Sequence, residues 1–170
     1  MSSVPSDRLP FREAFRRSGL SGRTALAFSS WFGAGLFPRA PGTFGTLAAL
    51  PAAFLMDAAG PLGGGFFILA FIGCAVWAAG ITERVLGRKD PPEVVTDEVA
   101  GYMVTLYLLP LSWVYLTGAF FVFRILDIVK PFPVNRMERL SGGAGVVLDD
   151  VLAGVFANLI LRLAGTVFGF

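Results

Sequence analysis

Residues 60–81, GPLGGGFFILAFIGCAVWAAGI, contain no charged side chain. A transmembrane helix needs about 20 predominantly apolar residues in succession, so this stretch predicts a helix that crosses a membrane. The composition agrees, since 55% of the 170 residues are hydrophobic, 15% are charged and the mean hydropathy is +0.69. Ordinary globular domains carry about 25% charged residues. The sequence therefore predicts a small integral membrane protein and excludes an intrinsically disordered chain.

Further apolar segments lie on both sides of this stretch. Residues 40–56 precede it, residues 99–123 follow it with an interruption at Pro110, and residues 151–170 carry Arg162 as their one charge. Residues 24–38 are also uncharged but too short to span a bilayer, which predicts a half-buried or re-entrant helix. We expect an all-α fold, a small polytopic membrane bundle of four to six helices that include short or re-entrant ones.

Basic residues are concentrated in three polar segments, 1–23, 82–98 and 124–150, and the positive-inside rule places all three in the cytoplasm. A hairpin over 44–81 fits, because it leaves the cytoplasmic side and returns. The run 99–123 is too short for two crossings, and a single crossing would place 124–150 outside. Pro110 therefore predicts two short helices in a re-entrant hairpin that the other helices shield.

The polar segment 1–23 is separated from a membrane-embedded domain at 24–170. Its arginines, among them Arg12 and Arg16, alternate with Leu9, Phe11 and Phe15. This pattern suits an interfacial helix that binds anionic lipid headgroups, and a frayed tail is the alternative. No apolar core of a signal peptide follows closely, so we predict none.

The rare residues restrict the chemistry. The chain has no histidine and one cysteine, Cys74, which we expect to be buried and unreactive within the apolar run 66–77. Catalytic triads, Cys–His pairs, disulfides, zinc sites with His or Cys ligands and histidine-dependent lipid phosphatases are therefore excluded. Any catalysis must use carboxylates, Lys, Arg, hydroxyls, backbone amides and a hard metal ion.

Carboxylates stand at the edges of the apolar segments, and two pairs of them are adjacent: Asp97, Glu98, Asp127, Asp149 and Asp150. Acids beside the start of a helix favour its dipole, but that explains single acids better than pairs. Adjacent carboxylates near apolar surroundings repel, and the usual compensation is a cation, so we favour a Mg²⁺ site. Gly101 and Gly154 each follow one of the acids by four residues, where we expect them to pack helices together.

Two further segments place polar residues beside apolar helices. The loop 39–46, RAPGTFGT, opens an apolar helix, and its arginine, glycines and threonines suit an anion. In 123–133, Arg124, Asp127 and Lys130 recur every three residues and form one polar helical face, which ends before Pro131. A solvated charged stripe is the alternative, and the strongly apolar flanks disfavour it.

Four segments give the chain a resemblance to the phosphatidylglycerophosphatase A family. They are APGTFGT at 40–46, TDEVAG at 96–101, FRILDIVKPFP at 123–133 and GGAGVVLDDVLAG at 142–154, and they occur in the family's order. Leu126 stands where the family often has Phe, and Thr46 where it often has Ser. Both differences keep the shape or the hydroxyl group.

The resemblance implies a multi-pass, Mg²⁺-dependent phosphatase of a bacterial cytoplasmic (inner) membrane, with its active site on the cytoplasmic side. It would hydrolyse phosphatidylglycerophosphate to phosphatidylglycerol and phosphate. The five carboxylates would bind metal and activate water or act as nucleophile, with the assignment of each role open. The residues implied for the substrate phosphate are Arg39, Gly42, Thr43, Thr46, Arg124 and Lys130.

The expected partners are a phospholipid substrate in the bilayer and anionic lipid headgroups, with no nucleic acid and the oligomeric state open. One alternative is a phosphatase that acts on another lipid phosphate, such as phosphatidate or a prenyl diphosphate. Another is a small cation transporter, which would place its acids along a transmembrane path rather than together at one interface. A structural scaffold would leave the paired acids unexplained.

Overall fold

A computed structural model describes residues 9–137 and 139–169, and the regular structure within them is entirely helical, as predicted. The elements are α1 (Phe11–Arg17), α2 (Leu20–Ser29), a 3₁₀ turn (Ala34–Leu36), α3 (Pro41–Ala48), α4 (Leu50–Ala58), α5 (Gly60–Leu86), α6 (Thr96–Leu106), α7 (Trp113–Val129), α8 (Val134–Met137) and α9 (Gly143–Phe168). The predicted count of four to six is not confirmed, because short helices that begin near Pro41 and Pro51 divide the region before α5.

Two helices in the described residues are long and apolar enough to cross a membrane, α5 with 27 residues and α9 with 26. They pack against each other where Gly143 begins α9. A Cβ on Gly143 would meet the Val76 carbonyl group and lie 2.5 Å from the Gly80 nitrogen, so this contact requires glycine. Both helices extend beyond the apolar runs 60–81 and 151–170 at the end of the bundle where the polar loops lie.

The apolar run 99–123 divides into α6 and α7 at a turn over 107–112 that contains Pro110, which confirms two short helices. The Tyr107 hydroxyl group in this turn donates to the Pro61 carbonyl oxygen at 2.7 Å. The turn therefore lies beside the one that joins α4 to α5, and both helices of the hairpin run from it toward the opposite end of the bundle.

Two polar side chains of α9 bind the exposed carbonyl groups at the end of α6. Asn158 Nδ2 donates to the carbonyl oxygens of Thr105 at 2.8 Å and Tyr107 at 2.9 Å. Arg162 donates to Tyr107 at 3.0 Å and Leu108 at 3.2 Å, and its Nε donates to Asn158 Oδ1 at 2.7 Å. The last carbonyl groups of a helix have no partner within that helix, so this pair caps α6 from α9.

At the N-terminus, α1 is anchored rather than frayed. Ala14 packs in a small cluster with Leu26 of α2 and Leu86 of α5. Arg23 of α2 donates to the carbonyl oxygens of Phe15 at 3.1 Å and Arg16 at 2.9 Å. The division between 23 and 24 falls within α2 and stays a prediction. Residues 1–8 lie outside the described part of the chain.

The uncharged run 24–38 is α-helical only to Ser29, because the residues between α2 and the 3₁₀ turn at Ala34–Leu36 turn the chain. Trp31, Phe32 and Gly33 have φ angles of 46°, 54° and 101°, in the left-handed region that bulky side chains rarely adopt. The expectation of a buried cysteine was wrong, since Cys74 is exposed on the outer face of α5. Apolarity alone does not tell which face of a membrane helix lies against its neighbours.

The helices α6 and α9 approach each other closely at Gly101 and Gly154, the two glycines expected to pack helices. A Cβ on Gly154 would meet the carbonyl oxygen of Gly101 and lie 3.2 Å from its Cα. A Cβ on Gly101 would lie 2.5 Å from the Phe123 ring and 2.6 Å from the Asp150 carbonyl oxygen. The backbones of α6 and α9 therefore touch directly, within four residues of the acid pairs.

We expect Gly154→Ala to lower the melting temperature of the protein in detergent, because the added methyl group would separate the two backbones. Overpacking of this kind costs about 1–3 kcal/mol. Gly73→Ala is the matched control, since a Cβ on Gly73 of α5 would meet nothing within 4 Å. A melting temperature of Gly154→Ala at or above that of the control would contradict the assigned contact.

Candidate active site

One end of the bundle contains a polar cavity of about 320 Å³. The first turn of α6, the last turns of α7, the second turn of α9, the start of α3 and the loop 87–95 surround it. All five carboxylates predicted from the sequence line it: Asp97, Glu98, Asp127, Asp149 and Asp150. The α6–α7 hairpin contributes residues from both of its ends, so it returns to the side from which it starts.

Three of these carboxylates form a compact cluster. Oxygens of Asp97, Glu98 and Asp150 all lie within 4.8 Å of one another. Asp97 is only 7% exposed and Asp150 only 3%. The Asp97 Oδ1 atom accepts the Glu98 backbone N–H at 3.0 Å, which orients this carboxylate at the start of α6.

Two basic side chains of α7 reach the same cavity and bind other carboxylates. Arg124 Nη1 lies 2.6 Å from Asp127 Oδ2 and 3.7 Å from Glu98 Oε1. Lys130 Nζ donates to Asp149 Oδ2 at 2.7 Å. Lys130 ends α7 with a φ of 46°, a left-handed cap that turns the chain just before Pro131. The arrangement therefore links α7 to both α6 and α9 through ion pairs.

Acidic residues outnumber basic residues in the cavity lining, and burial makes the excess negative charge unfavourable. Burial, followed by repulsion from Glu98 and Asp150, raises the pKa of Asp97 well above its usual range. Burial also raises the pKa of Glu98 to about 7, to which repulsion from Asp127 adds. Such a cluster is ionised at neutral pH when a cation compensates it.

Two carboxylate oxygens of the site are available to an ion or a water. Within the described residues, Glu98 Oε2 and Asp149 Oδ1 are buried and accept no hydrogen bond. Buried polar atoms normally have a partner, and an ion is one explanation for those that do not. Carboxylate oxygens at this spacing fit a hard divalent cation such as Mg²⁺, which usually keeps several waters. The metal site nevertheless stays a prediction.

The predicted phosphate-binding residues are divided between the cavity and its surroundings. Gly42, Arg124 and Lys130 line the cavity. Arg39 is exposed and Thr43 half-buried, and neither is among the residues that line it. The predicted loop 39–46 is helical from Pro41 onward, and the hydroxyl group of the buried Thr46 donates within α3 to the Gly42 carbonyl oxygen at 2.8 Å. The roles of these residues in binding phosphate stay predictions.

Part of the cavity wall was not predicted from the sequence. Asp90 in the loop 87–95 lines it, as do Val94 of the same loop and Val146 of α9. The Asp90 backbone N–H donates to Glu83 Oε1 at 2.9 Å and its φ is 46°. The dipeptide Pro91-Pro92 after Asp90 signals a turn, but no spacing rule brings that turn to α9.

A family model for Phosphatidylglycerophosphatase A matches residues 27–165. The chain belongs to the phosphatidylglycerophosphatase A family. The match includes all five carboxylates as well as Arg124 and Lys130, and it confirms the resemblance inferred from the four segments. Enzymes of this family are phosphoric monoester hydrolases, so the prediction of a phosphatase is confirmed for the family.

The chain aligns with three curated relatives over most of their lengths. The chain is 37% identical over 136 residues to Phosphatidylglycerophosphatase A of Escherichia coli, covering 79% of each chain. It is 34% identical to the Haemophilus influenzae protein of the same name, covering 76% of this chain and 82% of the relative. A Bacteroides thetaiotaomicron protein named "Putative phosphatidylinositol-3-phosphatase" is 39% identical, with 81% and 91% covered. No solved structure matches the chain.

We expect Gly42→Ala to reduce phosphate release by about 100-fold, because small displacements of positioned groups have effects of this size. A Cβ on Gly42 would meet Glu98 Oε1 and lie 2.9 Å from Arg124 Nη1. The measurement is lipid-phosphate hydrolysis by the purified variant, with circular dichroism as the check on folding. Gly19→Ala, where a Cβ would meet nothing within 4 Å, is the control. Equal rates in the two variants would contradict the assigned contact.

Proposed function

We propose that this protein hydrolyses phosphatidylglycerophosphate to phosphatidylglycerol and inorganic phosphate with a bound Mg²⁺. The observation that carries the proposal is the buried cluster of Asp97, Glu98 and Asp150, which faces Arg124 and Lys130 across one cavity. Carboxylates suit the metal and the basic side chains suit phosphate. The choice of substrate follows the names of two relatives, both called Phosphatidylglycerophosphatase A.

We also propose that the helices form a polytopic bundle in a bacterial cytoplasmic membrane, with the cavity on the cytoplasmic side. Arg84 lies in the last turn of α5 at the cavity end, Arg88 and Lys89 follow that helix, and Arg136 and Arg139 precede α9 there. The positive-inside rule favours a cytoplasmic position for such segments. A cavity at this level would receive a lipid headgroup while the acyl chains stay in the bilayer.

Asp97, Glu98 and Asp150 would hold the Mg²⁺, with Asp149 beside them. When bound, the ion would polarise a phosphoryl oxygen and neutralise the charge that develops there. Arg124 Nε is buried and, among the described residues, has no acceptor. Its N–H group is therefore suited to a phosphate oxygen, and Lys130 supplies a second cation to the same group.

Asp149 is the residue we assign to proton transfer. Lys130 holds its Oδ2 atom at 2.7 Å, while its Oδ1 atom is buried and accepts no hydrogen bond from the described residues. Oδ1 can therefore accept the proton of a water whose oxygen bonds to phosphorus. The bond from phosphorus to the glycerol oxygen breaks, and the proton passes from Asp149 to that oxygen.

The placement of the acids bears on the alternatives. A cation transporter would distribute its acids along a transmembrane path, whereas the acids of this chain lie together at one end of the bundle. This favours a phosphatase over a transporter. A different lipid phosphate is the nearer rival, and the Bacteroides relative adds phosphatidylinositol 3-phosphate to the candidates.

The assigned roles predict that two neighbouring aspartates behave differently. Asp150→Asn should weaken Mn²⁺ binding, measured by electron paramagnetic resonance with Mn²⁺ as a probe for Mg²⁺, and should abolish turnover. Asp149→Asn should keep Mn²⁺ affinity near that of the wild type, while turnover falls by about 10²–10⁴-fold, the usual contribution of a general base. EDTA should stop wild-type turnover and Mg²⁺ should restore it.

Asp57→Asn is the control for these variants, because Asp57 is an exposed carboxylate of α4 at the other end of the bundle. It should change neither Mn²⁺ binding nor turnover. Full activity of metal-stripped protein would exclude the metal. Wild-type turnover in Asp149→Asn would remove the proton-transfer role.

The substrate assignment is tested with purified protein on four lipids: phosphatidylglycerophosphate, phosphatidate, phosphatidylinositol 3-phosphate and a prenyl diphosphate. We expect the highest kcat/KM on phosphatidylglycerophosphate. The background is the rate of the Asp149→Asn variant under the same conditions. A higher kcat/KM on one of the other lipids would assign the enzyme to that lipid, and ion flux in proteoliposomes without phosphate release would favour a transporter.

A further inference from the structure

A second concave surface lies away from the candidate active site, between α1 and the chain that follows α2. We refer to it as the α1 groove and define it by Arg12, Phe15, Arg16, Ala27, Phe32 and Leu36. Its volume is about 570 Å³, and it shares no residue with the acidic cavity. Pockets of this size bind small molecules. α1 also lies outside residues 27–165, which match the family model.

The charges of the α1 groove are available to an anion. Arg12 and Arg16 are one helical turn apart and both are exposed. The other basic residues nearby have partners, since Arg17 lies 2.5 Å from Glu13 and Arg23 donates to backbone carbonyl groups. Within the described residues, Arg12 and Arg16 form no ion pair. This leaves two guanidinium groups on the rim, which suits a phosphate group.

The wall of the groove is apolar, and the backbone conformation at Phe32 keeps one of its side chains exposed. Phe32 is 77% exposed, and its φ of 54° lies in the left-handed region that bulky residues rarely adopt. Leu36 and Phe15 are also exposed. The fold therefore maintains an unfavourable backbone conformation in a turn that presents an aromatic ring to its surroundings.

The apolar wall continues onto a helix that is long enough to cross a membrane. Ala27 and Phe32 also border an apolar depression formed with Phe28 of α2 and with Cys74 and Trp77 of α5. An occupant with a charged head at Arg12 and Arg16 and a long apolar tail would follow this surface along α5. A phospholipid has this shape, whereas a soluble protein partner would not extend onto a membrane helix.

We propose that the α1 groove binds one anionic phospholipid, with its phosphate group at Arg12 and Arg16 and an acyl chain against Phe15, Phe32 and Leu36. The site is accessory to catalysis and would hold α1 at the membrane surface. Because it shares no residue with the acidic cavity, the proposal does not depend on the proposed catalytic activity, but it rests on the proposed position of α5 in a membrane.

The test is native mass spectrometry of the full chain released from neutral detergent micelles, titrated with phosphatidylglycerol or phosphatidylcholine. The wild type should bind phosphatidylglycerol more tightly. The double variant Arg12→Gln/Arg16→Gln should lose about five-fold in phosphatidylglycerol affinity for each arginine, the factor expected from one basic side chain at an anionic surface. Phe32→Ser should lower occupancy by both lipids. Phosphate release in the same micelles should stay at the wild-type rate in all these variants.

Arg84→Gln/Arg139→Gln is the matched control, since it removes the same charge from two exposed arginines outside the groove. It should keep the wild-type affinity for phosphatidylglycerol. Equal losses in the two double variants would show non-specific attraction and overturn the proposal, as would a wild type without preference for the anionic lipid. If the groove variants instead abolish a dimer and leave lipid binding unchanged, the groove is an interface between two copies and the proposal is wrong.

Discussion

The direct contact of α6 and α9 at Gly101 and Gly154 is the constraint on which the candidate site depends. Each helix brings an adjacent acid pair to the cavity, and the carboxylates meet because nothing larger than hydrogen separates the two backbones. The hydrophobic effect contributes little to the association of helices within a bilayer. Close van der Waals packing at small residues usually stabilises such contacts instead. The same contact that stabilises the bundle therefore places repelling carboxylates together.

Repulsion within the site is offset by groups from a third helix. Arg124 contacts acids of α6 and α7, and Lys130 contacts an acid of α9, so α7 neutralises part of the charge on both of its neighbours. The balance is incomplete, because the cluster of Asp97, Glu98 and Asp150 meets Arg124 through a 3.7 Å contact of Glu98, whereas Asp127 and Asp149 have basic partners at 2.6 and 2.7 Å. The remaining negative charge distinguishes this cavity from a set of structural ion pairs, and it is the charge that the proposed Mg²⁺ would compensate.

The sequence was informative about the carboxylates and less so about what surrounds them. With 15% charged residues, the chain offers few polar surroundings to acids at the edges of its apolar segments. All five of the predicted carboxylates line one cavity. Asp90 could not be found in this way, because its loop reaches the site through tertiary packing rather than through a pattern. The exposure of Cys74 had the same cause, since an apolar run has no polar face from which orientation can be read. The left-handed turn at Trp31 and Phe32 was also not predictable, because a positive φ is normally indicated by glycine and the first glycine there is Gly33.

The break at Pro110 was predictable, but the reason the hairpin is stable was not. A turn that exposes carbonyl groups within an apolar bundle needs donors, and here they come from Asn158 and Arg162, about fifty residues later in the chain. Arg162 was visible in the sequence as a lone charge in an apolar helix, and such residues normally mark a function. In this fold it binds the turn while Gly154 binds the middle of α6, so α6 is attached to α9 at two levels. A helix attached at two levels cannot slide along its neighbour, and the relative height of the two acid pairs is thereby set from the far end of the bundle.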